Sequence, residues 1–222
     1  MLTVEKIGGT SMSHFDEVLK NIILGKRTKG NYYNRILVVS AYNNVTNWLL
    51  EHKKNGTPGI YSKFEKRDNY MAALDELLLK LVAINAELEP IGLNLKQADE
   101  FITDRICQAK NYLKNLSAVL ATGYVNKNNI LLAAREILSS IGEAHSAFNS
   151  VNILENNGIK SLFIDLCGFN DPEFLTIDER IILAFKNIDF SKTLPVATGY
   201  TKGTEGIMRE FDRGYSEVTF SK

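Results

Sequence analysis

Apolar positions recur in this chain of 222 residues in two rhythms. Short β-branched runs, Leu2 to Ile7 and Ile36-Leu37-Val38-Val39, read as strands. Each ends in small residues: Gly8-Gly9-Thr10-Ser11 after the first and Ser40-Ala41 after the second. Between them Phe15, Val18, Leu19, Ile22 and Ile23 keep helical spacing, and Gly25 follows as a stop. Strand, Gly-rich turn, helix, loop and strand in that order predict a parallel βαβ unit. The same grammar returns with strands at Leu162 to Leu166 and Leu194 to Gly199. A helix from about Ala133 to Asn156, closed by Gly158, precedes the first of these, with a break in its pattern at Gly142-Glu143.

The middle of the chain follows the helical rhythm alone. Met71, Leu74, Leu78, Leu81 and Leu88 form one series, and Ile102, Ile106, Ala109, Leu113, Leu116 and Leu120 a second. Glu89-Pro90-Ile91-Gly92 separates them, so residues 65–122 predict two antiparallel helices set between sheet elements. Their leucine stripe is expected to pack on the core of the same domain.

Composition narrows the class of protein. Hydrophobic residues make up 45% and charged residues 23%, the balance of a globular chain. Lys plus Arg and Asp plus Glu are 26 each, which leaves none of the basic excess that phosphate-neutralising nucleic-acid binders carry. Lys26, Arg27, Lys29 and Arg35 are expected in a solvated loop. No apolar run approaches the roughly 20 residues that span a bilayer, and the N-terminus enters a strand without a signal peptide. A cytoplasmic protein with two buried thiols, Cys107 and Cys167, follows. The two cysteines and His14, His52 and His145 are scattered, so no metal-ligand cluster is expected.

Four stretches could carry chemistry. In Lys6-Ile7-Gly8-Gly9-Thr10-Ser11 a lysine stands at a strand end, over the sheet edge where open α/β folds bind ligands. The two glycines let the backbone approach an anion, yet a plain βα turn would accept them equally. The second stretch, Ser40-Ala41 with Thr46, offers hydroxyls to a carboxylate or phosphate oxygen, or caps for the next helix. The third is Gly142-Glu143, whose carboxylate either pairs with a substrate ammonium or faces solvent. The last runs from Gly199-Tyr200-Thr201-Lys202-Gly203-Thr204-Glu205-Gly206 to Arg213-Gly214-Tyr215-Ser216-Glu217. Its Gly-rich turn followed by an arginine suits a carboxylate clamp.

Taken in order, these four motifs resemble aspartate kinase, of the amino-acid kinase superfamily, over nearly the whole chain. Ile7 stands where the family typically has Phe, and Asp212-Arg213-Gly214-Tyr215-Ser216-Glu217 where it usually has Gly-Arg-Gly-Gly-Ser-Asp. The ending from Phe211 to Glu217 is similar to the branch associated with ectoine biosynthesis. The resemblance implies a three-layer α/β/α amino-acid-kinase (carbamate-kinase-like) fold, with a mainly parallel sheet and the helical hairpin as an insertion. It implies ATP-dependent phosphorylation of the β-carboxylate of L-aspartate, with Mg²⁺ carried by the ATP, and a homo-oligomer.

By the same resemblance Lys6 contacts the transferring phosphoryl group, while Gly8, Gly9, Thr10 and Ser11 cradle the phosphates. Ser40 and Thr46 stand near the aspartate site, Glu143 faces its α-ammonium, Arg213 grips its α-carboxylate and Ser216 lies beside its β-carboxylate. Gly214 and Glu217 border this site. Family members continue into adenine-binding strands and regulatory ACT domains, so the 222 residues are expected to be an incomplete kinase domain. Two other readings stay open: a kinase for glutamate or another amino acid, and a non-catalytic amino-acid-binding module of the same fold.

Overall fold

The computed structural model describes residues 1–25, 27, 31–52, 55–205 and 215–222. Four strands, β1 (Thr3–Ile7), β2 (Arg35–Val39), β3 (Ser161–Ile164) and β4 (Leu194–Thr198), form one sheet. Their order is β1-β2-β4-β3 and every pairing is parallel. Asp165 ends β3 two residues before the expected limit: its carboxylate accepts from Arg105 at 2.6 Å and from the Cys167 N–H at 2.9 Å.

Parallel strands need long crossovers, and helices supply them. After β1 come α1 (Gly9–Met12) and α2 (Phe15–Glu17), and α2 runs on as a π-helical stretch, Val18–Leu24. The expected helical run is therefore present but wider in its turns, and Gly25 closes it with its N–H on the Lys20 carbonyl at 2.9 Å. Arg35 is no solvated loop residue. It is buried, pairs with Glu5 (Nε to Oε1, 2.6 Å), and its guanidinium donates to the Ile22 and Ile23 carbonyls at 3.2 and 3.4 Å. It thus satisfies carbonyls that the helix end leaves without partners. Arg27 is exposed, as expected, and Lys26 and Lys29 lie outside the described residues.

β2 leads into α3 (Val45–Leu49) and α4 (Ile60–Glu65), then the hairpin of α5 (Tyr70–Leu88) and α6 (Leu95–Thr122), and then α7 (Lys127–Asn156). The expected leucine series fall on α5 and α6. Leu74, Leu81, Ile102, Ile106 and Leu113 join α7 and the strands in one apolar cluster, so the hairpin packs on the core of its own domain. Helix α7 starts six residues before the expected Ala133, because Asn126 caps it by accepting the Asn128 N–H at 2.8 Å. Polar Lys127, Asn128 and Asn129 hide that first turn from the apolar pattern. Nor does α7 break at Gly142-Glu143. A Cβ on Gly142 would come within 2.8 Å of both Ala41 Cβ and Val45 Cγ1, so this glycine lets an unbroken helix touch the segment after β2.

The sheet is covered on both faces, which makes the three expected layers. Leu37, Val39, Leu194 and Val196 face α7 and its neighbours. Ile164 and Ala197 point the other way, onto α8 (Ile177–Phe185) through Ile181, Ala184 and Phe185. The last helix, α9 (Tyr215–Phe220), packs against β1 and β2. Cys167 is buried, but Cys107 is exposed: it lies on the outer side of α6, opposite the stripe formed by Ile102, Ile106 and Ala109. Among the described residues no helix is long and apolar enough to cross a membrane.

Candidate active site

Register brings the motifs together. Ile7 lies opposite Val39, and Val39 opposite Thr198, so Gly8, Ser40 and Gly199 leave the sheet side by side. Two hydrogen bonds extend the ladder past the strands, Ser40 N–H to the Ile7 carbonyl (3.0 Å) and Gly199 N–H to the Val39 carbonyl (2.9 Å). Here, at the carboxyl ends of the strands, Gly9, Thr10, Ser40, Thr46, Glu143 and Tyr215 line a cleft of about 290 Å³.

Gly8 and Gly9 start a helix directly, with no loop between. A Cβ on Gly9 would sit 2.8 Å from the Ala41 carbonyl oxygen, so only glycine lets α1 begin this close to the end of β2. The first N–H groups of any helix lack intrahelical acceptors. Lys6, on the sheet face opposite α7, reaches Glu217 of α9 (Nζ to Oε1, 2.6 Å), and this ion pair is partly exposed. Ser40 and Ser216 share a hydrogen bond at 2.8 Å between their hydroxyls. Helix α9 is fixed over the sheet by Thr219, which bonds Thr201 Oγ1 (2.8 Å) and the Gly199 carbonyl.

Glu143 enters from α7 and is buried. Its Oε2 has no hydrogen-bond partner among the described residues. Burial pushes its carboxyl up to about 8, and Glu217 adds to the rise, while the Ala41 N–H and Lys6 pull it down. The solvent-facing reading of this residue is therefore excluded. A carboxyl held near neutrality beside open space is suited to receive a cation. The side chains on this flank of α7 are polar at intervals of four and three: Ser139 donates to Glu205 Oε1 (2.6 Å), and Ser146 donates to the Ser40 carbonyl (2.8 Å).

Of the expected site residues, Gly9, Thr10, Ser40, Thr46 and Glu143 share the cleft. Gly8 and Lys6 adjoin it, Lys6 Nζ lying 4.0 Å from where a Gly8 Cβ would be, and Ser216 and Glu217 reach it through their partners Ser40 and Lys6. Ser11 does not join them. It lines a neighbouring depression with His14, Glu17 and Asn21, which meets the cleft at Thr10, a residue of both. Arg213 and Gly214 lie outside the described residues. The sequence reading missed Tyr215 as a cleft residue and Glu205 as its partner. It also missed the polar flank of α7, although the spacing Ser139, Glu143, Ser146 was there to be seen. A larger, mostly apolar pocket of about 540 Å³, at Leu132, Ile137, Phe169 and Phe174, holds none of the expected site residues.

A parallel sheet with a Lys-x-Gly-Gly turn at its carboxyl edge and a buried carboxyl beside it has the architecture of an α/β protein at the edge where such folds bind ligands. Matching residues 1–221 to the profile of the amino acid kinase family, the sequence as a whole makes the chain a member of that family. It is 46% identical over 225 residues to "Aspartate kinase Ask_Ect" of Stutzerimonas stutzeri (strain A1501), an alignment covering 100% of this chain and 47% of that protein. The chain thus spans about half the length of that curated relative. Among solved structures it is similar to E. coli aspartokinase III in complex with aspartate and ADP (R-state). That match has a TM-score of 0.47 and 22% identity, and covers 90% of this chain and 41% of that one. The same enzyme with lysine and aspartate (T-state) matches with a TM-score of 0.48 and 20% identity, over 88% and 40% of the two chains.

Proposed function

We propose that the protein phosphorylates the β-carboxylate of L-aspartate with ATP. The observation that carries this is the meeting of Lys6 with Glu143 and the Ser40–Ser216 pair around one cleft. The 46% identity to a named aspartate kinase supports it. Glu143 supplies a countercharge for an α-ammonium, which favours a free amino acid over an N-acetylated one. Ser40, Ser216 and Thr46 supply hydroxyls to carboxylate oxygens, and Arg213, outside the described residues, completes the grip on the α-carboxylate.

In the reaction a β-carboxylate oxygen forms a bond to the γ-phosphorus as the bond to the β,γ-bridging oxygen breaks. The products are aspartyl phosphate and ADP. The attacking carboxylate is already ionised at neutral pH, so no general base is needed. The difficulty is like charge meeting like charge, and the remedy is positioning and neutralisation. Lys6 and the N–H groups from Gly8 to Thr10 serve that role on the phosphoryl side, and Glu217 holds Lys6 in place beforehand. Magnesium enters with the nucleotide as part of the substrate.

Incubating the full-length gene product with Mg·ATP, a panel of amino acids and hydroxylamine, which traps acyl phosphates, tests this. Aspartate alone should yield a hydroxamate. Product from glutamate only, or from no amino acid, would refute the assignment. Lys6→Met keeps most of the side-chain volume and removes the charge, so turnover should fall by about 10²–10³ while the melting temperature changes little. Unchanged turnover would remove Lys6 from the mechanism.

A further inference from the structure

One wall of the cleft has no part in the chemistry described above. Tyr215 lines it, at a position where the family resemblance has glycine, so a phenol ring occupies space that a hydrogen would leave open. The ring is held firmly. Its hydroxyl donates to Glu205 Oε1 at 2.6 Å, an oxygen that also accepts from Ser139 Oγ at 2.6 Å. The other oxygen, Oε2, accepts from Arg135 Nε at 2.9 Å. The remaining guanidinium nitrogens grip both oxygens of Glu51, at 3.0 and 2.9 Å, and the guanidinium carbon lies 5.0 Å from the centre of the Tyr61 ring. Glu205 is only 2% exposed. Tyr200 meets the Tyr215 ring edge-on, with centroids 5.3 Å apart, and is itself fixed by its hydroxyl on Glu136.

Four elements thus hold one ring: α7 through Arg135 and Ser139, α4 through Tyr61, the segment after α3 through Glu51, and the stretch after β4 through Glu205 and Tyr200. A buried carboxylate with three donors resists displacement, because moving any one of them leaves a charge or a donor without a partner. Such a wall cannot swing aside for a longer substrate. We propose that Tyr215 sets the length of amino acid the cleft accepts, admitting a four-carbon dicarboxylic amino acid and excluding the five-carbon one, and that Glu205 is the positioning residue that holds it. This rests on the amino-acid kinase reading above and names the specificity of that same cleft. One methylene too many in a closed pocket commonly changes specificity by 10–200-fold, which is the scale expected here.

The test measures kcat and KM for aspartate and for glutamate, with KM for ATP as a control, in the wild-type protein, Tyr215→Ala, Tyr215→Phe and Glu205→Gln. Tyr215→Ala should lower the aspartate-to-glutamate ratio of kcat/KM at least tenfold, through a smaller KM for glutamate, with KM for ATP unchanged. Tyr215→Phe keeps the ring but loses its bond to Glu205, so its preference should fall between those of the wild type and the alanine variant, and it remains informative if the alanine variant fails to fold; complete loss of the preference there would overturn the idea that the ring is the wall. Glu205→Gln should lower the same aspartate-to-glutamate ratio, by less than Tyr215→Ala does. A lower melting temperature with that ratio unchanged would make Glu205 purely structural and overturn its part. A folded Tyr215→Ala protein with the wild-type ratio would overturn the inference while leaving the function intact. Wild-type protein that phosphorylates neither amino acid would overturn the functional reading, and the inference with it.

Discussion

Glu143 stands in the free protein with a carboxyl that burial pushes up to about 8, Oε2 lacking a partner among the described residues. An ammonium arriving beside it would favour the charged form. Aspartate binding is therefore expected to release close to one proton at pH 6–7, and affinity should rise from pH 5 to pH 8. Calorimetry in two buffers of different ionisation heat reads this directly. Equal heats in both buffers would mean that Glu143 does not titrate on binding, and in Glu143→Gln the buffer dependence should vanish. Among the described residues the charges of Lys6 and Glu217 act on this carboxyl with opposite signs. Their mutual ion pair at 2.6 Å leaves burial as the dominant cause. At this scale the sequence showed residue types but no environment. Glu143 could equally have faced water, and Arg35, written in a run of basic residues, is buried against Glu5.

Helix α7 does more than cross the sheet. Its small and polar positions Ser139, Gly142, Glu143 and Ser146 lie under the strand ends, and Gly142 is where it touches the segment carrying Ser40 and Thr46. Gly142→Ala tests that contact. Helix propensity alone would favour alanine by up to about 1 kcal/mol, but the added Cβ meets Ala41 and Val45 at 2.8 Å. Overpacking of this kind costs about 1–3 kcal/mol, so the net effect should be destabilising. The urea midpoint should fall with an unchanged slope, and KM for aspartate should rise as the Ser40 segment is displaced. A variant as stable as the wild type would show that the segment yields freely. The period of the apolar residues revealed α5, α6 and most of α7. It misread Gly142 as a break because a sequence does not say what a glycine will lie against.

Across the whole molecule, two buried groups set opposing limits on stability. Burial holds His145 down at about 3; its Nε2 lies 2.7 Å from Asn85 Oδ1, among Asn149 and Tyr42. Its folded value lies below the ordinary one near 6.5, so its contribution is present above that pH and lost as pH falls toward 3. Glu143 has the opposite sign. Its folded value is raised, so its contribution is present below about 4.5 and lost as pH rises through 8. Melting temperature should therefore peak in mildly acid solution and decline on both sides. Glu143→Gln should flatten the alkaline decline alone, and an unaltered profile would deny that its ionisation is linked to folding. The number of strands, their parallel sense and the helical hairpin follow from the sequence, because apolar period and Gly-rich turns are local properties of the chain. So does the family, since the four motifs stand in order along it. Which face each polar residue meets was decided only in three dimensions. Strand register set Gly8, Ser40 and Gly199 side by side, and the close approach of α7 buried Glu143 beside them. Helix α9, returning from the far end of the chain, brought Ser216 to Ser40, Glu217 to Lys6 and Tyr215 to Glu205. Those contacts depend on distance in space between residues far apart in sequence, for which a linear pattern holds no record.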